Sequence, residues 1–196
     1  MPQPRLRPYD DTEVELRSPG ELTRQRTRLV VPVVGALLLG LGTAACSPQE
    51  RNYEIPSTMC GTAVSPDLLE PLLPPGDKIS TTLSDRAEGM KRCLVNVDGE
   101  QVLAFNIEWR EKGSSLFNFA SVFPGVDPSD KESEDGRYLY SDTGAVGKVT
   151  CPKPRKTSGD LFVATRVANS GKPDEAAMRK LIAAYAEAVG TSDECT

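Results

Sequence analysis

The chain has 196 residues, 38% of them apolar and 26% charged, with a formal net charge of −5 and no histidine. That balance suits one globular domain with a modest core. It excludes the basic footprint that nucleic-acid phosphates require, the His-dependent nucleophile pairs and the commonest transition-metal ligand.

Met1 to Arg28 is polar and closes on a basic cluster of Arg24, Arg26 and Arg28; Leu29 to Cys46 then runs without a charge. A positive segment abutting an apolar one has the order of a secretory signal. The 17 residues before Cys46 span roughly 25 Å as a helix, short of the ~30 Å hydrocarbon core. Pro32, Gly35, Gly40 and Gly42 weaken the run further as a permanent span. Thr43-Ala44-Ala45-Cys46 resembles a bacterial lipobox, departing from it at Thr43, where an aliphatic residue is usual. The expected organisation is an n-region and signal or anchor segment over residues 1–45, a tether over 46–57 and one extracytoplasmic domain over 58–196. Cys46 would be the lipidation site, carrying acyl chains such as palmitate. An uncleaved span with a cytoplasmic N-terminal tail and ordinary cleavage after Ala45 are the alternatives.

Six of the 23 basic and five of the 28 acidic side chains fall in residues 1–45, leaving 17 against 23 in the rest. The exported part is therefore acidic, a poor partner for nucleic acid or anionic lipid.

Within it, Ser65-Pro66-Asp67 ahead of Leu68, Leu69, Leu72 and Leu73 opens a short helix, with Ser65 as N-cap and Pro66 at the first helical position. Cys93–Val97 and Gln101–Trp109 flank Asp98-Gly99, a two-residue hairpin turn. Taking Val97 opposite Glu100 puts Leu94 opposite Leu103, with Phe105, Ile107 and Trp109 continuing the core face. Ser114 to Phe123 reads as loop and short helix, its three phenylalanines packed in the core. Val126 to Gly136 reads as an acidic mobile loop whose carboxylates lack calcium-loop spacing. Strands are expected over Arg137–Ser141, Ala145–Cys151 and Asp160–Val167, with a basic connection over Pro152–Gly159. Gly144-Ala145-Val146-Gly147-Lys148 has the composition of a phosphate-binding loop but lacks its spacing and its hydroxyl residue. A last helix starts at Pro173-Asp174-Glu175, carries Met178, Leu181, Ile182, Tyr185 and Val189 on one face and stops at Gly190. The fold class expected is α+β: an antiparallel twisted sheet with the C-terminal helix and the short N-terminal helix on one face.

The five cysteines are Cys46, Cys60, Cys93, Cys151 and Cys195, none in a C-x-x-C pair. With Cys46 lipidated four remain, and wide irregular spacing in an oxidising compartment favours two disulfides over a metal site. Of three pairings, Cys60 with Cys93 and Cys151 with Cys195 join the elements expected to pack together. No cofactor or metal is expected.

Cys60-Gly61, Leu72-Leu73-Pro74-Pro75-Gly76, Arg92-Cys93, Val97-Asp98-Gly99, Trp109, Cys151-Pro152 and the helix before Cys195 resemble the small secreted lipoproteins of actinobacteria. That family has no assigned activity. The resemblance implies compartment and paired cysteines without implying catalytic residues.

The functional expectation is a lipid-anchored, non-enzymatic envelope module, held to the membrane through Cys46. Its partner would be an envelope protein, a wall component or a small ligand, not nucleic acid. A single-pass sensor is the alternative. A carboxylate hydrolase is a further one, for which Glu108, with Glu100 and Arg110 on the polar face of the best strand, supplies the candidate acid–base group. Mass spectrometry of membrane-extracted protein is expected to find a diacylated N-terminal Cys46; an intact Met1 would support the sensor instead.

Overall fold

The computed structural model describes residues 50–152 and 159–195, the side chain of Arg86 apart. The apolar run, the lipidation site Cys46, the first part of the tether and residues 153–158 of the basic connection lie outside the described residues.

A tiny hairpin comes first, β1 (Thr58–Met59) and β2 (Thr62–Ala63), turning through Cys60 and Gly61, both at positive φ. Helix α1 (Pro66–Leu69) follows, with Pro66 at its first position, but the Ser65 side chain caps nothing. After Leu69 the chain tightens into a 3-10 turn, Glu70–Leu72, that holds Pro71, because proline has no N–H for the α pattern yet fits a tighter turn near its start. Leu69, Leu72 and Leu73 are buried.

The remaining strands form one antiparallel sheet: β3 (Ile79–Ala87), β4 (Met90–Val97), β5 (Glu100–Glu111), β6 (Lys131–Glu132), β7 (Tyr138–Tyr140), β8 (Gly144–Val149) and β9 (Gly159–Val167). Their order is β3-β4-β5-β9-β8-β7-β6. The acidic stretch is thus partly sheet, since Lys131 and Glu132 pair with Tyr140 and Leu139. Asp98 and Gly99 take the two positive φ angles, 52° and 88°, of the expected turn. The register beyond it differs from expectation: Val95, not Leu94, faces Leu103, and Leu94 faces Ala104. Val102 is an extra residue, a bulge that shifts the pairing by one. Its side chain is buried, and its carbonyl accepts the Ala168 N–H at 2.9 Å.

Helix α3 (Glu175–Gly190) lies over the sheet, its N-cap Asp174 accepting the Ala177 N–H at 2.9 Å. Met178, Leu181, Ile182, Tyr185 and Val189 are all buried, each apolar one worth about 1.5–3 kcal/mol. They meet Phe105, Ala145, Val149, Leu161 and Val163, and share this core with the leucines of α1 and the turn after it. Gly190 does not end the helix by a left-handed turn. It is the last helical residue, and a Cβ there would sit 3.0 Å from the Thr150 carbonyl. Gly147 likewise lets Tyr138 lie flat under the helix, where a Cβ would come within 2.7 Å of its ring.

A second, smaller core occupies the opposite face of the sheet, where a single core was expected. Helix α2 (Leu116–Ala120), capped by the Ser115 hydroxyl, brings Phe119 and Ala120, with Phe123 beyond it, onto Val146, Phe162 and Ala164. Phe117, expected inside, points out and is 59% exposed. A helix of five residues turns only one face inward, and Phe119 takes it.

Disulfides join Cys60 to Cys93 and Cys151 to Cys195. The second closes a separation of 44 residues, so replacing both of its cysteines with alanine is expected to cost about 4 kcal/mol by the chain-entropy argument. A lowered chemical denaturation midpoint checks this; an unchanged midpoint would refute it.

Candidate functional site

The cysteines singled out by the sequence form two separate staples rather than a reactive centre, and Cys46 lies outside the described residues. Among the described residues no group of three or more His, Cys, Asp or Glu side chains is placed to hold a metal, and no helix is long and apolar enough to cross a membrane. Asp127 spends its carboxylate on the N–H and hydroxyl of Ser129, and Asp130 accepts the Asp127 N–H, a self-capped turn. Gly144 to Lys148 falls on strand β8, where Lys148 pairs with Asp160 at 3.0 Å and lies over the Phe162 ring.

The outer face of the sheet carries the most distinctive concavity, about 380 Å³, between the open strands and the α2 segment. Register explains it. One row across the strands runs Thr82, Leu94, Ala104, Arg166; the next runs Ser84, Arg92, Asn106, Ala164; a third runs Met90, Glu108, Phe162. Side chains in such rows share a face. Small Ala104 leaves a low floor, while Phe119, Val122, Phe123 and Pro124 raise one wall.

Arg92, Arg110 and Arg166 line this groove together with the Glu108 carboxylate, a cluster of arginines on an acidic domain. Glu108 pairs with Arg110 at 2.7 Å, and its side chain is only 13% exposed. The Arg110 guanidinium also lies 5.3 Å from the centre of the Phe119 ring, a cation–π contact that fixes it on the wall. Arg166 is half-buried and, among the described residues, has no carboxylate partner. Asn106 at the floor has a buried Oδ1 without a hydrogen-bond partner among those residues.

The arrangement can hold an oxyanion, since guanidinium forks match carboxylate and phosphate oxygens, and it can shelter an apolar body against the phenylalanines. Among the described residues the groove lining contains no hydroxyl, thiol or amine. Glu100, grouped with Glu108 in the sequence reading, is exposed beside the hairpin turn and does not line the groove. The sequence reading picked out Glu108 and Arg110 but not Arg92, Asn106 or Arg166. Their signal was faint but present: Arg166 interrupts an apolar strand two and four residues after Ala164 and Phe162, on one face.

A second concavity, about 610 Å³, lies beside α3 and the β6–β7 turn. There the Asp135 carboxylate accepts the Ser133 hydroxyl at 2.7 Å and the Arg137 guanidinium at 2.6 Å. The Ser133 hydroxyl first, and Arg137 after it, hold the Asp135 carboxyl down at about 2. No protein-family model, no curated protein and no solved structure matches the chain.

Asp135 is held below the ordinary carboxylate value of about 3.9, so any stability this cluster supplies is present above that value and lost as pH falls through about 2. A carboxyl NMR titration is expected to place Asp135 there, and Ser133→Ala to move it up. No movement would remove the hydroxyl as the principal cause.

Proposed function

We propose that the protein is a lipid-anchored cell-envelope module, tethered outside the membrane through Cys46, that binds a small anionic ligand in the outer-face groove without transforming it. The export signal, the lipobox-like run and the two disulfides support the compartment, because such bonds persist in oxidising surroundings. Four of the five cysteines being paired leaves Cys46 as the thiol for lipid.

The observation that carries the binding reading is Arg166, a half-buried cation without a carboxylate partner among the described residues, in a groove already holding two other arginines. Leaving a cation partly desolvated is costly, and an incoming oxyanion offsets that cost with charge-assisted hydrogen bonds. The groove volume of about 380 Å³ suits a small molecule rather than a folded partner. A single carboxylate already bound to arginine favours retention of a ligand over acid–base chemistry, which in glycoside hydrolysis takes two carboxyl groups about 5–10 Å apart.

The test is calorimetric titration of the full chain in non-ionic detergent with hexanoate and hexyl phosphate. Binding of either, weakened about ten-fold or more by Arg166→Ala, is the expected result. Absence of binding to both, or equal binding by the variant, would overturn the site.

A further inference from the structure

The floor of the outer-face groove holds one polar group left over, the side-chain oxygen of Asn106. Asn106 stands at mid-strand on β5, with Arg92 opposite it on β4 and Ala164 opposite it on β9. Along its own strand the next outer-face residues are Ala104 and Glu108, two places away on either side. The methyl groups of Ala104 and Ala164 are too short and too apolar to serve the carboxamide, and Glu108 pairs with Arg110. The Oδ1 atom is consequently buried with no hydrogen-bond partner among the described residues. Buried acceptors are rarely left so, because the group has given up water and gained nothing in return.

The charges on the two sides of Asn106 are unequal. Toward Glu108, the Arg110 guanidinium is paired at 2.7 Å and rests on the Phe119 ring. Toward Ala104 stands Arg166, diagonal to Asn106 across the β5–β9 pair and without a carboxylate partner among the described residues. Glu108 repels an anion from its own end, so an oxyanion takes the Arg166 end. Diagonal neighbours of an antiparallel pair stand about 7–8 Å apart, so a group forked on the Arg166 guanidinium comes to lie beside the Asn106 carboxamide. The chain after α2 closes in over the same arginine: a Cβ at Gly125 would lie 3.7 Å from the Arg166 Cβ. That brings Phe123 and Pro124 next to the cation, where the apolar part of a ligand would follow its acid.

We propose that the groove selects a carboxylic acid with an apolar tail and a hydrogen-bond donor, in its simplest form a hydroxyl, on the carbon next to the acid. The proposal rests on the reading of this groove as an anion site and adds the contact that decides which anion. The carboxylate forks on Arg166, the hydroxyl donates to the Asn106 Oδ1, and the tail lies against Phe123 and Pro124. A donor further along the tail is carried toward those apolar side chains, which have nothing to accept it. Asn106 is therefore the specificity-determining residue. A site built to receive a donor discriminates against the analogue that lacks one, since its buried acceptor then stays unpaired in the complex.

Calorimetric titration of the full chain in non-ionic detergent with hexanoate, 2-hydroxyhexanoate, 2-methoxyhexanoate and 6-hydroxyhexanoate tests this, each enantiomer of the 2-substituted acids being taken separately. One enantiomer of 2-hydroxyhexanoate is expected to bind about five-fold tighter than hexanoate, the worth of one neutral hydrogen bond. The 2-methoxy acid should gain nothing over hexanoate, because its oxygen has no hydrogen to donate, and the 6-hydroxy acid should gain nothing because its donor is misplaced. This series needs no variant. In Asn106→Ala the preference for 2-hydroxyhexanoate over hexanoate should disappear. A 2-hydroxy acid no tighter than hexanoate, a methoxy or 6-hydroxy acid as tight as the 2-hydroxy acid, or a preference that survives Asn106→Ala would overturn the proposal while leaving the anion site standing. Binding of none of the four acids would remove the anion site, and this proposal with it.

Discussion

Tyr185 meets Phe105 with ring centroids 4.9 Å apart, at the centre of the contact between helix and sheet. Everything else is arranged around that buried pair. Tyr185 is fully enclosed, and burial pushes its phenol well above the ordinary tyrosine value; the Thr62 side chain is its hydrogen-bond partner. That bond draws the β1–β2 hairpin onto the helix, and the Cys60–Cys93 disulfide ties the same hairpin to β4. A buried phenol needs such a partner, because an orphaned hydroxyl costs on the order of 1–3 kcal/mol. The short N-terminal hairpin is therefore part of the core's polar accounting.

The two faces of the sheet meet different fates for a related reason. One is covered by α3 together with α1 and the turn after it; the other, among the described residues, is covered by α2 near β8 and β9. Where that cover stops, the outward residues turn from Phe162 and Val146 to Asn106, Arg92 and Arg166. A polar sheet beside an aromatic wall makes a groove with two chemistries in one place: cations on the floor and apolar surface on the side. The acidic balance of the domain makes this local positive region the more distinct.

Elements whose signal is local were legible in the sequence. Asp98-Gly99 requires two positive φ angles, and the helical stripe from Met178 to Val189 has one period; both appear where expected. The α+β class and the two cysteine pairs followed from placing those elements together. Features that depend on a distant neighbour were not legible. The bulge at Val102 exists because its carbonyl meets Ala168, 66 positions along the chain, and nothing near Val102 announces that. Gly190 looked like a helix stop but is small because Thr150 crowds it. Strand β3 went unread, since an edge strand with Ser or Thr at four of its nine positions carries no hydrophobic alternation. Half of the groove was missed likewise: Glu108 and Arg110 share one strand, whereas Arg92 and Arg166 join them only through pairing.

Arg51 reaches the Glu70 carboxylate at 3.2 Å and the carbonyls of Glu70 and Leu73 at 2.9 Å, while the backbone beside it bridges to Gly76. For a chain held from its N-terminal side this is where mechanical load first arrives. A pull there is shared in shear by the Arg51 contacts, then passes along nine residues to Cys60, where a covalent bond hands it to β4 inside the sheet. The opposite terminus is secured in the same manner by Cys195. Traction on either end therefore stops at sulfur before it can peel a strand of the seven-stranded sheet or lift α3, so the domain yields at its edges, β1 among them, while its centre stays shut.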